Sequence, residues 1–299
     1  MTGAPTMVLF DIPGPKARMR YRIVAVVGAL AVLAILAVVI RGLGNPENNQ
    51  LTLDKWKPFF TAEAWTAYFL PGLGRTLLAA AIAVVLSIVL GILLGVGRLS
   101  ANAVLRRVCG IFVEFFRSVP VLIMMLFAFY FGLFILHISG AAVGLFGVVA
   151  GLTFYNSCVF AELIRSGVNS LPRGPREAGL AIGLTGMQTL ATILLPQAIT
   201  AMLPSLVSQL VVILKDTALG YIITYPELLR AGQNFATINA NLIPTLIVVA
   251  TIFIVINYGL SRLARYLEAR LRAARNVKTP PADPMLNPAM APGAGASAP

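Results

Sequence analysis

Arg176-Glu177-Ala178-Gly179-Leu180-Ala181-Ile182-Gly183, followed by Thr185-Gly186-Met187-Gln188 and then Ile193-Leu194-Leu195-Pro196, is a polar, glycine-punctuated stretch between two long apolar runs. Those runs, residues 141–160 and 190–214, are each long enough to form a helix of the roughly 20 residues that cross a bilayer core. Four more runs, 23–40, 73–96, 119–136 and 242–256, share that character and bring the expected spans to six. Composition agrees, because 58% hydrophobic and 11% charged residues with a mean hydropathy of +0.86 exceed what a soluble domain of 299 residues carries. The chain reads as an all-α integral membrane protein. A small-residue segment kept between two spans points to a second protein that must come close against it.

The 23 Lys and Arg residues set the orientation. Seventeen fall on the side that holds both termini, among them Arg98, Arg106, Arg107, Arg117, Arg165, Arg173 and Arg176; six, including Arg41, Lys55, Lys57 and Arg75, fall on the other. Basic residues accumulate in short cytoplasmic loops, so both termini are expected in the cytoplasm. Topology and anionic headgroups account for the net charge of +12 without nucleic acid. The first run is not expected to be a cleaved leader, since Arg41-Gly42-Leu43-Gly44 offers no small-x-small site.

Ser170-Leu171-Pro172-Arg173-Gly174-Pro175 stops the preceding helix, because neither proline donates a backbone hydrogen bond. A short helix then has reasons to start, with Gly174 as its cap, Pro175 in its first turn and Glu177 near the positive end of its dipole. Gly183 suits a left-handed exit, and Thr185 with Gln188 has the spacing of a capping box for the next helix.

Glu177-Ala178-Gly179, three residues, Gly183, nine residues, then Ile193-x-Leu195-Pro196 resembles the EAA loop of ABC importer permeases. The resemblance implies that Arg176, Glu177, Ala178, Gly179, Gly183, Leu195 and Pro196 couple the membrane part to a separate ATPase, the short helix docking in a groove on it. Gly179 stands where that family has a second alanine, which implies a more flexible helix. Leu70-Pro71-Gly72-Leu73-Gly74-Arg75-Thr76-Leu77 resembles the start of the permease core. Glu114-Phe115-Phe116-Arg117-Ser118-Val119-Pro120, Ala161-Glu162-Leu163-Ile164-Arg165-Ser166-Gly167 and Leu214-Lys215-Asp216-Thr217-Ala218-Leu219 are similar to stretches of the polar amino-acid subfamily. The arm from Val8 to Arg18 and the extra span after it are similar to glutamate-uptake permeases.

What the resemblance implies is a five-helix type I ABC importer permease core at 71–270, with its coupling loop at 171–196. Before it come an arm (1–22), an extra span (23–41) and an external loop (42–70); after it comes a tail (271–299) that from Lys278 onward is largely Pro, Ala and Gly, unable to bury enough surface to order itself. The implied partners are a second permease subunit, identical or homologous, two ATP-binding subunits carrying ATP and Mg, an external substrate-binding protein, and a polar amino acid, glutamate first. The implied home is the bacterial cell membrane. The sequence itself contains no Gly-x4-Gly-Lys-Ser/Thr phosphate loop, so ATP must bind elsewhere. One histidine, His137, no ligand cluster and few paired carboxylates argue against an enzyme or a metal site. A secondary transporter driven by an ion gradient is the alternative; it needs acidic residues at the midplane, for which Asp216 and Glu162 are the few candidates.

Lys215 and Asp216, with Thr217 beside them, sit between apolar stretches, where ionisable groups are costly; they either line the pathway or pair to hold a broken helix. Asn156 and Ser157 lie deep in a glycine-rich span, and Gln209 belongs to a polar-striped span kinked by Pro196 and Pro204. Glu114 with Arg117, and Glu162 with Arg165, are three apart, the spacing of local ion pairs, and brace an inner gate or the ATPase interface. Trp56, Phe59, Phe60, Trp65, Tyr68 and Phe69 suit an interfacial belt. Residues 225–232 suit a short gating helix with Pro226 in its first turn and Gly232 after its end. Small residues one turn apart, Gly91/Gly95, Gly140/Gly144 and Gly147/Gly151, suit close helix contacts, and Cys109 and Cys158 read as apolar fillers.

Overall fold

The computed structural model describes residues 14–45 and 49–275. The start of the arm and the tail from 276 onward lie outside the described residues. Among the described residues ten α-helices follow in order: α1 (Pro15–Leu43), α2 (Leu70–Arg98), α3 (Ala103–Ser118), α4 (Val121–Phe134), α5 (Ala141–Asn169), α6 (Arg173–Ala181), α7 (Gly186–Thr189), α8 (Leu195–Asp216), α9 (Leu228–Asn239) and α10 (Leu242–Arg275). Among the described residues, five helical stretches are long and apolar enough to cross a membrane, or six if the bent pair α3–α4 counts as one span.

α5 is the most enclosed of these spans. A methyl group on Gly91 of α2 would stand 2.6 Å from the Phe160 Cβ and 3.0 Å from the Ser157 carbonyl oxygen. One on Gly151 of α5 would stand 2.8 Å from the Met125 backbone nitrogen of α4. Bare glycine lets the backbones approach, and in lipid such packing replaces the hydrophobic drive that water supplies. Gly140 differs from the other paired glycines, because it caps α5 at φ +66° with open space around it. Cys109 and Cys158 are buried and unbridged, as fillers would be. α1 buries none of its residues against the rest of the chain.

The span expected at 119–136 is present as a short helix, bent sharply away from the one before it. α4 holds 14 residues, about 21 Å of helix at 1.5 Å per residue, short of a bilayer core of roughly 30 Å. It meets α3 at a bend of 102°. The cause is local: Pro120 forces Val119 into an extended conformation (ψ 130°), which no helix continues.

The aromatic loop is likewise more than a belt. Phe59 and Phe69 are buried and meet Phe235 of α9 at ring centroids of 5.1 and 5.3 Å, with Tyr68 edge-on at 5.5 Å. Phe60 alone among these rings is almost fully exposed (87%). The rings thus clamp the loop to α9. α9 itself begins later than the sequence suggests. Glu227 caps it, its carboxylate accepting from Leu229 and Arg230 N–H, both at 2.7 Å. Gly232 lies inside the helix, facing Val249.

Candidate coupling segment and intramembrane cleft

α6 is one end of a continuous device. Pro172, extended at ψ 153°, takes the cap position that the sequence suggested for Gly174, so α6 starts at Arg173. Pro175 still falls where a missing N–H is harmless, but Glu177 lies beyond the first turn, out of the strongest part of the dipole. The exit is a Schellman turn: Leu184 N–H donates to the Gly179 carbonyl (3.1 Å) and Gly183 N–H to that of Leu180 (3.0 Å), with Gly183 at φ +86°. Thr185 then caps α7 reciprocally, its hydroxyl accepting from Gln188 N–H (3.3 Å) while the Gln188 side chain accepts from Thr185 N–H (2.8 Å). From α7 the helix runs through a π-helical stretch, Leu190–Leu194, into α8; Pro196 follows, and its missing N–H accommodates that change of register.

Gly179 is where α6 rests on this second helix. It is buried, and a methyl there would stand 2.7 Å from the Thr189 Cγ2 and 3.0 Å from the Ile193 Cδ1. The glycine therefore serves close seating of α6. Other side chains of the segment stay exposed: Leu180, Ile182 and Met187 are 48%, 76% and 46% exposed, as are Arg173, Arg176 and Glu177.

At the same end of the bundle, Glu162 of α5 gathers three guanidinium groups. Its oxygens lie 2.7 Å from Arg98, 2.6 Å from Arg165 and 3.5 Å from Arg117. Only the Glu162–Arg165 pair follows the expected local spacing. Glu114 reaches Arg98 at 3.5 Å rather than Arg117, and Arg117 reaches across to Glu162. The result joins α2, α3 and α5 in place of two separate pairs. Arg98, only 12% exposed, is the residue that sequence reasoning missed; spacing along one helix has no signal for a partner 64 positions away.

Above this cluster, a cleft of about 380 Å³ opens beneath the α3–α4 elbow, between α5 and α8, with Arg117, Tyr155, Gln209 and Asp216 on its wall. Asn156 is fully buried; it donates to the Leu152 carbonyl (2.8 Å) and accepts from the Gln209 amide (2.7 Å). The structure thus joins Asn156 to Gln209 and brings Gln209 and Asp216 to one cleft. Ser157 and Thr217 point elsewhere, their hydroxyls spent on the carbonyls of Phe154 (3.0 Å) and Leu214 (2.6 Å). Lys215 is exposed and off the cleft wall. Among the described residues no group of three or more His, Cys, Asp or Glu is placed to hold a metal ion.

The model of one family, described as "Binding-protein-dependent transport system inner membrane component", matches residues 87–273, well over half of the chain. The chain belongs to this family. It is a membrane component of a binding-protein-dependent transport system, and its match takes in α6, the ion cluster and the cleft. A glutamate transport system permease protein of Corynebacterium glutamicum is 47% identical over 228 residues, covering 76% of this chain and 84% of that protein. A probable glutamine ABC transporter permease protein of Bacillus subtilis is 35% identical over 211 residues, 68% of this chain and 94% of the relative. Among solved structures, an amino acid ABC transporter with histidines superposes at a TM-score of 0.62 with 26% identity, over 69% of this chain and 95% of that one. The fold is that of an ABC importer permease.

Proposed function

We propose that this chain is the permease subunit of an ATP-driven importer of a polar amino acid, glutamate first, coupled to a separate ATPase through α6. The observation that carries the reading is α6 with the turn into α7, a rod seated at Gly179 and closed by a Schellman turn, with Leu180, Ile182 and Met187 exposed along it. Exposed apolar side chains rimmed by charge are what a docking surface presents. The 47% identity to a glutamate permease supports the cargo, and the lack of a phosphate loop supports a reading in which ATP and Mg are bound by two partner subunits. A second permease subunit and an external binding protein complete the assembly, in a cell membrane with both termini of this chain in the cytoplasm.

In this reading, closure of the ATPase pair moves α6, and the Schellman turn and capping box carry that motion into α7 and α8. The Arg98–Glu162–Arg117–Arg165 cluster keeps α2, α3 and α5 moving together as the pathway changes the side to which it opens. ATP hydrolysis then resets the assembly. Family membership removes the support for an ion-gradient carrier. The test is reconstitution with the partner subunits in proteoliposomes and uptake of labelled glutamate, glutamine, arginine and histidine. Saturable uptake that needs ATP, and that is lost on deleting residues 176–183 from a chain that still folds, is the expected result. Uptake driven by an ion gradient without the ATPase would overturn it.

A further inference from the structure

α10 carries its charge at one end only. Residues 242–261 hold no charged side chain, and that length of helix spans about 30 Å, the thickness of a bilayer's hydrocarbon core. The first charge, Arg262, therefore falls where hydrocarbon gives way to headgroups. From there α10 runs on as helix to Arg275, with Arg262, Arg265, Arg270, Arg272 and Arg275 against one acid, Glu268. Ile247, Ile254, Tyr258, Arg262 and Arg265 are all exposed and follow one another at seven, four, four and three residues, which sets them on one face. That face passes from aliphatic to aromatic to cationic, the order in which acyl chain, interface and phosphate follow in a leaflet. Thr245 and Val249, on the opposite side, are buried against Gly232 of α9.

The cations of this face are aimed. Helical side chains lean toward the N-terminus, which for these arginines is the membrane side. Arg262 donates to the Tyr258 hydroxyl at 3.0 Å and lies over that ring at 5.5 Å, and Arg270 lies over Tyr266 at 5.0 Å. Each of the two guanidinium groups is thus drawn toward the bilayer by a tyrosine one turn nearer to it. Among the described residues no carboxylate oxygen lies within 4.0 Å of Arg262, Arg265 or Arg270, which leaves their charge for an anion from outside the chain.

We infer that this face of α10 seats an anionic phospholipid, its phosphate between Arg262 and Arg265 and an acyl chain along Tyr258, Ile254 and Ile247. The site stands whatever the cargo of the transporter. An arginine at the headgroup layer favours an acidic lipid by about fivefold, and a guanidinium already braced on tyrosine has less freedom to lose when the lipid arrives. α10 also packs against α8, the helix into which the coupling segment runs, so the lipid steadies a direct neighbour of that helix.

The experiment attaches a fluorophore to I254C in the full chain, kept with its co-purified partner subunits in phosphatidylcholine nanodiscs. Cys109 and Cys158 are buried, so labelling goes to residue 254. Phosphatidylglycerol with a nitroxide on its acyl chain should reach half-maximal quenching at a mole fraction at least about fivefold lower than phosphatidylcholine labelled alike. R262Q/R265Q should bring the two lipids within about twofold of each other, whereas R107Q, which removes an exposed cation from α3, should leave the difference intact. Equal quenching by the two lipids with every arginine in place overturns the inference, and it does so even if the double variant fails to assemble. Loss of the difference in R107Q as well shows general attraction to a basic end of the bundle and overturns the site. A probe that neither lipid reaches shows the face covered by another protein, which also overturns it. So does displacement of the acidic lipid by inorganic phosphate beyond the effect of chloride at equal ionic strength, the mark of a site for soluble anions.

Discussion

Replacing Gly179 by alanine probes the seat of α6 directly. The added methyl would stand 2.7 Å from the Thr189 Cγ2 and 3.0 Å from both the Thr189 Oγ1 and the Ile193 Cδ1. Ordinary carbon contacts lie near 3.5–4.0 Å, so something must yield by roughly 0.8 Å or more. The Ile193 tip rotates aside, but Thr189 is buried and β-branched, with a stiff χ1, so the strain falls on the spacing of α6 and α7. Overpacking of this kind costs about 1–3 kcal/mol, and the better helix propensity of alanine returns up to ~1 kcal/mol. A net destabilisation of about 1 kcal/mol follows, with displacement of the exposed face as its functional consequence. Thr189 also supplies the control, because its buried hydroxyl has no hydrogen-bond partner among the described residues. T189A therefore leaves stability nearly unchanged or raises it, and the G179A/T189A pair recovers what G179A loses, a coupling of ~1 kcal/mol. The assay is the double-mutant cycle read by thermal unfolding in detergent and by ATPase stimulation of the assembled complex. Strict additivity of the two changes, or a G179A chain as stable and as well stimulated as the parent, would refute the reasoning.

E162Q leaves three arginines around an uncharged group; because Glu162 is partly solvated (25% exposed), the loss is about 2 kcal/mol, below the 3–5 of a fully buried pair, and appears as a lower unfolding temperature in detergent. Burial drives the Glu227 carboxyl up to about 7 from 4.5, against the pull of the two amides it caps. The folded state thus holds that proton more tightly than the unfolded chain does, so stability is full below about pH 4.5 and falls as pH rises through about 7. Melting temperature against pH should show that slope, and E227Q should flatten it. G151A forces a methyl to 2.8 Å from the Met125 backbone and costs about 2–3 kcal/mol, whereas G110A meets nothing within 4 Å and is neutral or stabilising by up to ~1 kcal/mol; equal melting temperatures for the two variants would contradict the packing account.

Much of the coupling segment was legible because its signals are local. The Gly183 exit and the Thr185–Gln188 box each follow from residues within one or two turns, and both appear where the spacing put them. The cap at Pro172 was missed because two prolines and a glycine in six residues allow more than one helix start. The elbow was hidden for a different reason. An apolar run carries no signal of length through space, and residues 119–136 look the same whether they cross the membrane straight or turn by 102° at Pro120. The cleft and the Glu162 cluster join residues from helices far apart in sequence, and no spacing rule reaches from Arg98 to Glu162 or from Arg117 to Asp216. Lys215 drew attention as the cation of the membrane segment, but helical geometry turns Asp216, one position on, toward the cleft instead.

Site-specific photo-crosslinking from residue 182 in the assembled transporter tests the central claim most directly, since Ile182 is the most exposed apolar side chain of the coupling segment. With a photoreactive residue in place of Ile182, illumination should join this chain to the ATP-binding subunit. The same residue in place of Ile111 on α3, also exposed but on the membrane part, should not. An Ile182 probe that reacts only with lipid or solvent, in a complex that still imports, would contradict the account.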